Sequence, residues 1–373
     1  MRRGFAAIVA LAVVSVAGVC FAQEKPNRTS PKEPRLTRPQ GSKPSSAATG
    51  AVPPISPTES PPEEIVRVET DLVTTLFTAM DRNHRFVTTL RQEDVRILEN
   101  GAPQEVQVFQ RETGLPLSLA ILVDVSKSME RTLPDEKAAA AAFIVSVLRP
   151  GTDRAAAISF NGKPAVDGDL TGNPTGLLHA IARMRVEVPP DNPDCEGIFT
   201  TVDEDPRCWT SIWDAVWAST NEILAHTPER TRRAIILITD GYDTSSMMKR
   251  QEAVDIAAKN NVVVYGIGFT DPEHYKVDEG ALRKIAERTG GRAFFPHNEE
   301  ELRGAFKQIQ EELRSQYLIA YSPKDRTRDG SFRQIRIEIV NPELRKQKLR
   351  LLYRQGYYAK RSPQRHGDRT ENH

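Results

Sequence analysis

Cysteine is scarce. Only three occur in 373 residues, and beyond the N-terminal leader only Cys195 and Cys208 remain. In an exported chain such a pair reads as one disulfide closing a short loop, with two free thiols as the alternative. An excess of one charge is also missing. The 51 Lys and Arg stand against 50 Asp and Glu, so no overall field recruits nucleic acid or anionic lipid. The 22 glycines show no three-residue period, which excludes a collagen-like chain. Past the leader no apolar run approaches the roughly 18–20 residues of a membrane-spanning helix, so the mature chain should have no transmembrane segment. Three catalytic signatures are absent: His-Glu-x-x-His, Gly-x-Ser-x-Gly, and a Gly-rich loop ending in Lys-Ser/Thr. Their absence argues against a zinc peptidase, a serine hydrolase of that type and a phosphate-loop enzyme. What is present suffices for a buried core. Hydrophobic residues make up 39%, and the polar excess gathers near the two ends, so the chain is not wholly disordered.

The start of the chain reads as a secretory signal peptide over residues 1–22. Arg2 and Arg3 form a basic n-region, Phe5 to Val19 is uncharged, and Cys20 and Ala22 are small residues flanking a cleavage site. Val19 stands where a lipobox wants Gly, Ala or Ser, which disfavours a lipoprotein. Residues 23–63 hold ten prolines and few large apolar side chains, the composition of a disordered linker. The polar stretch 360–373 is expected to be a disordered tail. The protein should therefore be exported, to the periplasm, the cell envelope or the extracellular space.

Residues 64–114 read as a small β-unit. Val66–Thr70 alternates, Leu72–Phe77 is rich in β-formers, and Asp94–Glu99 has strand character. Asn100-Gly101 is a two-residue hairpin signal, with Gln104–Gln110 the expected return strand. From 115 to 316 strands alternate with helices. Strands are expected at Leu117–Val125, Arg154–Phe160, Ala234–Thr239, Val262–Phe269 and Arg292–Phe295. Helices are expected at Asp135–Leu148, Pro174–Met184, Ser211–His226, Gln251–Lys259, Ala281–Thr289 and Glu299–Ser315. This alternation implies an α/β fold with a doubly wound, mostly parallel sheet. Three β-like runs follow within 317–359: Tyr317–Tyr321, Phe332–Val340 and Leu349–Tyr353. With no helix expected between the last two, they should pair antiparallel, beside the N-terminal β-unit.

The first strand of the α/β region ends in Asp124-Val125-Ser126-Lys127-Ser128. A carboxylate and two hydroxyls at alternate positions can converge above the C-terminal edge of a parallel sheet, where open α/β sheets bind ligands. Thr210 stands just before an expected helix, and Asp240 follows the apolar strand Ile235–Thr239. Such hard oxygen donors suit Mg²⁺. A phosphotransferase of the Asp-x-Asp type would need a second carboxylate where Ser126 stands.

These residues resemble the metal-ion-dependent adhesion site of the von Willebrand factor type A (VWA) family. The resemblance spans about Leu115 to Gln316. It rests on Asp-Val-Ser-Lys-Ser-Met at 124–129, Thr210–Ala215, Ile238-Thr239-Asp240-Gly241 and Val264–Gly268. The lead-in Asp94–Gly101 and the ending Arg354–Ala359 resemble exported bacterial VWFA-related proteins. By that resemblance Ser126, Ser128 and Thr210 touch the metal, and Asp124 and Asp240 bind it directly or through water. One coordination position is left for a carboxylate of a protein partner. Mg²⁺ is the implied ion, with Mn²⁺ or Ca²⁺ as alternatives. Such a site binds rather than catalyses, so the resemblance implies an exported adhesion or protein-binding module and no enzyme. The alternatives are a metal-independent envelope scaffold of the same fold, or an uncharacterised enzyme built on it.

The chain departs from the family pattern before the site threonine, where Cys208-Trp209 replaces the usual small glycines. Upstream, an insertion over Val186–Arg207 carries seven carboxylates and is expected to be a solvated acidic loop. A Cys195–Cys208 disulfide would pin that loop beside the metal, where it could gate access. Lys127 and Met129 are expected to border the site. Trp213 and Trp217, four apart on one helical face, are expected in the core.

Overall fold

The computed structural model describes residues 33–38, 72–186 and 210–361, except His84, Pro272 and His274. The leader, Val66–Thr70, the acidic insertion after Val186, Cys195, Cys208 and residues 362–373 lie outside the described residues.

The N-terminal segment supplies β1 (Val73–Met80), β2 (Val95–Glu99), β3 (Ala102–Pro103) and β4 (Val106–Glu112). Asn100 and Gly101 both take positive φ, 47° and 83°, which closes the β2–β3 hairpin at Glu99 and Ala102. The expected return strand over Gln104–Gln110 does not form as read. Pairing with β2 ends at Pro103, which has no N–H to extend the ladder, and β4 crosses into a different sheet.

The central region then alternates: β5 (Leu117–Asp124), α1 (Leu133–Val147), β6 (Arg154–Phe160), β7 (Pro164–Thr171), α2 (Pro174–Arg183), α3 (Ile212–Glu222), β8 (Arg232–Thr239), α4 (Arg250–Lys259), β9 (Val262–Gly268), α5 (Glu279–Thr289), β10 (Ala293–Phe294) and α6 (Glu299–Arg314). The sheet order is β10-β9-β8-β5-β6-β7, with only β7 antiparallel. β5 and β8 are buried at every position, as their continuous apolar runs require. Successive residues of β5 serve opposite faces. Leu119, Ile121 and Val123 pack with Phe143, Leu177 and Phe306 of α1, α2 and α6. Ala120 and Leu122 pack with Val216, Val254 and Leu282 of α3, α4 and α5. The fold is thus the doubly wound α/β sheet expected from the sequence. Trp213 and Trp217 lie in the second core, 6% and 8% exposed.

β7 has no counterpart in the sequence reading, because Asp167-Gly168-Asp169 looks like a turn. Gly168 earns its place by packing: a Cβ there would meet the Ala180 Cβ at 3.0 Å, so α2 can close on the strand only over glycine. A second correction concerns the Pro-rich linker. Within it, residues 34–38 are docked on the sheet: Thr37 bridges Ala165 of β7, and Leu36 is buried in the core beside α3.

The C-terminal segment adds β11 (Gln316–Tyr321), β12 (Phe332–Ile339), α7 (Pro342–Lys346), β13 (Arg350–Tyr353) and β14 (Gly356–Tyr358). It combines with the N-terminal strands into two four-stranded sheets, β13-β1-β11-β4 and β14-β12-β2-β3, around Phe77, Ile97, Tyr317 and Ile337. The flanking segments therefore do form a β-unit, but β12 and β13 do not pair with each other. Asn341 caps the short α7 by accepting from the Glu343 N–H at 3.0 Å, and Pro342 fits its first position. That turn sends β12 to β2 and β13 to β1. Arg361, within the stretch expected to be a tail, bridges Asp329.

Candidate metal centre

β5 and β8 are parallel neighbours in register, Val123 beside Ile238, so their C-terminal ends open on the same edge. Asp124 closes β5 and Asp240 follows β8, and the two carboxylates share that edge. Each is clamped by local hydrogen bonds. The Ser126 N–H donates to Asp124 Oδ1 at 2.9 Å, and Thr239 Oγ1 donates to Asp124 Oδ2 at 2.6 Å. The Gly241 N–H donates in turn to Thr239 Oγ1 at 3.1 Å, and the Tyr242 N–H donates to Asp240 Oδ1 at 3.0 Å. Ser126 precedes a 3-10 turn at Lys127–Met129, which brings the Ser126 and Ser128 hydroxyls within 3.1 Å. Ser128 also favours the charged form of the Asp240 carboxyl, against the effect of burial. Asp124, Ser126 and Ser128, three of the five expected ligands, are thereby joined in one network.

Thr210 reaches the same edge through its backbone. Its N–H donates to Thr244 Oγ1 at 2.8 Å, and its carbonyl accepts from the Thr244 and Ser245 N–H groups at 2.9 and 3.1 Å. Asp243 accepts from the Ile212 N–H at 2.8 Å, and Asp214 accepts from the Met247 and Met248 N–H groups at 3.0 and 2.8 Å. The loop after Asp240 and the start of α3 are thus one clipped unit. Neither Asp243 nor Asp214 is among the ligands expected from the sequence.

Gly241 makes this loop feasible. Its φ is 88°, and a Cβ would lie 2.9 Å from the Asp278 carbonyl oxygen, whose own residue donates its N–H to the Asp240 carbonyl at 2.8 Å. Gly241→Ala should cost about 2–3 kcal/mol, combining left-handed backbone strain with the clash. Thermal or urea unfolding would measure it, and a variant as stable as the parent would contradict this loop geometry.

Electrostatically the site is rich in unbalanced acid. Asp124 is 0% exposed and Asp240 5%. Burial pushes the Asp124 carboxyl well above its usual range, and the Asp240 charge adds to the rise against the hydrogen bonds of Ser126 and Thr239. Burial also raises Asp240. A third carboxylate was not anticipated. Glu136, in the first turn of α1, is fully buried, and neither of its oxygens has a hydrogen-bond partner among the described residues. Burial holds its pKa well above the ordinary range, and the charges of Asp124 and Asp240 push the same way. The donor set of two carboxylates and serine hydroxyls is one that a hard divalent cation fits, and such an ion would offset this concentration of buried acid. Among the described residues no cluster of three or more His, Cys, Asp or Glu side chains is arranged to hold a metal. Any ion held here would rely on hydroxyl and water oxygens.

The rim combines charged pairs with two exposed apolar side chains. Lys127 pairs with Glu130 at 2.6 Å and Arg131 with Asp271 at 2.9 Å, while Tyr242 and Met247 are exposed. Met129, expected on the border, is instead fully buried beneath the 3-10 turn.

Fold and site together define an α/β binding domain whose acidic and hydroxyl residues gather at the C-terminal edge of its sheet. Two models of the von Willebrand factor type A domain match the chain, one over residues 119–242 and the other over 202–311. The chain is a VWA-domain protein and carries a protein-interaction module of that type. No protein of curated function matches it. Several solved structures are similar. One is a conserved hypothetical protein, BatB, from Bacteroides thetaiotaomicron, at 19% identity, covering 53% of this chain and 100% of that one with a TM-score of 0.39. Another is a von Willebrand factor type A protein from Catenulispora acidiphila, at 14% identity, covering 79% and 74% with a TM-score of 0.43. A third is proximal thread matrix protein 1 from the mussel byssus, described with a zinc-occupied MIDAS motif, at 15% identity, covering 54% and 48% with a TM-score of 0.41. No helix among the described residues is long and apolar enough to cross a membrane.

Proposed function

We propose that this chain is an exported, non-enzymatic adhesion or protein-binding module that takes a carboxylate of its partner at a divalent cation. Asp124, Ser126, Ser128, Thr210 and Asp240 would hold the ion, with Mg²⁺ the best match to their hard oxygens and Mn²⁺ or Ca²⁺ as alternatives. The bound ion would supply positive charge at an open coordination position. The protein's own groups do the rest. Thr239 and the Ser126 N–H orient Asp124, the Ser126–Ser128 pair presents hydroxyl oxygens, and Lys127, Tyr242 and Met247 shape the approach.

The observation that carries this reading is the pair of buried carboxylates, Asp124 and Asp240, beside the orphaned Glu136. A buried charge needs a partner, and a divalent ion at the hydroxyl-bearing edge would supply one to Asp124 and Asp240 and so relieve the field they exert on Glu136. Calorimetric titration of Mg²⁺ and Mn²⁺ into residues 23–373 tests it. Saturable binding of either ion is expected. Capture of carboxylate-bearing partners should then be abolished by a chelator. Partner capture that survives the chelator would favour the metal-independent scaffold, and metal-dependent turnover of a substrate would favour an enzyme. A Cys195–Cys208 disulfide is part of the proposal. It predicts two fewer free thiols in the native exported chain than after reduction.

A further inference from the structure

β7 is the outer strand of the six-stranded sheet, and an outer strand offers unpaired backbone groups to any extended chain. Residues 34–38 occupy that position, with Thr37 paired to β7. The Thr37 N–H donates to the Pro164 carbonyl at 2.9 Å, and the Val166 N–H donates to the Thr37 carbonyl at 2.8 Å. Thr37 Oγ1 also donates to the Pro164 carbonyl, at 3.0 Å. Leu36 is 7% exposed and joins the core that includes Trp217 and Ile223. Its N–H donates to Glu222 Oε1 at 3.1 Å. Arg38 lies 3.5 Å from Asp169 and 3.7 Å from Glu222. The groove between β7 and the end of α3 therefore selects three features in order: an apolar side chain, an extended backbone pair, and a cation two residues after the apolar one.

We propose that this groove is a docking site for an extended Leu-x-Arg segment, and that residues 34–38 of a second copy of the chain fill it by exchange with the resident strap. Every copy carries both the strap and its complementary groove, including the acid pair that meets Arg38. The strap is held by one β-bridge, the buried Pro34 and Leu36, the Leu36 N–H and Thr37 hydroxyl bonds, and partly exposed ion pairs, each weak individually. Residues 39–71 separate strap from β1, a contour long enough to span on the order of 100 Å. Strap and groove thus need not belong to the same molecule, and exchange replaces each contact by an identical one.

The inference is independent of the metal. A labelled peptide of residues 31–41 is titrated into the parent chain and into Leu36→Asp, whose strap can no longer fill the groove. At least tenfold tighter binding to L36D is expected, and loss of binding when the peptide itself carries L36D. Next, L36D is mixed with a chain carrying D169K and E222K, whose strap is competent but whose groove repels Arg38. Sedimentation should show a 1:1 complex in the mixture and monomers of each alone. If L36D loses its cooperative melt, Arg38→Glu takes its place. Folded variants that bind the peptide no better than the parent, or that sediment as monomers when mixed, would overturn the proposal.

Discussion

Asp124→Ala should abolish saturable Mg²⁺ binding while leaving a cooperatively folded protein, and Asp240→Ala should do the same. The loss is expected to be complete because each carboxylate supplies charge that the serine hydroxyls cannot replace. The fold should survive because two effects oppose each other. Removing Asp124 relieves the desolvation and the Asp240 repulsion that raise its pKa. It also strands two donors, Thr239 Oγ1 and the Ser126 N–H, each costing about 1–3 kcal/mol when buried without an acceptor. Asp124→Asn separates the terms, since its amide oxygen can still accept one of those bonds. Its metal-free melting temperature should match or exceed that of the alanine variant, with Mg²⁺ binding equally absent. Calorimetry beside thermal melts decides it. Undiminished metal binding in Asp124→Ala or Asp240→Ala would remove those residues from the site.

The parts of this site legible in the sequence were those tied to strand ends. Asp124 and Asp240 each terminate a run of consecutive apolar residues, so their shared edge follows from the parallel topology alone. Ser126 and Ser128 follow from their spacing to Asp124. What remained hidden depended on tertiary packing. Glu136 stands in Asp135-Glu136-Lys137, which reads as a solvated helix start, and the alanines after it blur which face of α1 turns inward. Asp214 and Asp243 became visible only once the loop after Asp240 was seen to fold back on α3. The strap was lost to averaging: one buried leucine does not alter the composition of a Pro-rich stretch. β4 and β13 were recognisable as strands, but their partners are set by crossovers that no local pattern encodes.

Glu136→Met should stabilise the metal-free protein at pH 8 and weaken its Mg²⁺ affinity. Methionine has a similar length, favours helix and needs no hydrogen bond, so it removes the cost of a buried carboxylate whose oxygens are both unpartnered. The expected gain is about 1–3 kcal/mol, worth about 2–4 °C in melting temperature per kcal/mol for a domain of this size. The effect should depend on pH, and its sign is fixed. Glu136, Asp124 and Asp240 all have folded-state pKa values above their ordinary ones. Such groups hold protons in the folded state that they release on unfolding, so their contribution is full below about pH 4 and is lost as pH rises through the raised values. The metal-free parent should therefore lose stability from pH 5 to pH 8, and Glu136→Met should lose less. Glu312, buried near the C-terminal end of α6 with its pKa pushed up to about 7, adds a similar slope that Glu136→Met leaves unchanged. Mg²⁺ should act in the opposite sense. Its ligands must be deprotonated, so its stabilisation should grow as pH rises across the same window. Melting curves from pH 5 to 8, with Mg²⁺ and with chelator, read both slopes. A Glu136→Met chain that melts below the parent at pH 8, or keeps the parent's full metal-free slope, would show that Glu136 finds compensation within the fold and does not belong to the acid cluster at the sheet edge.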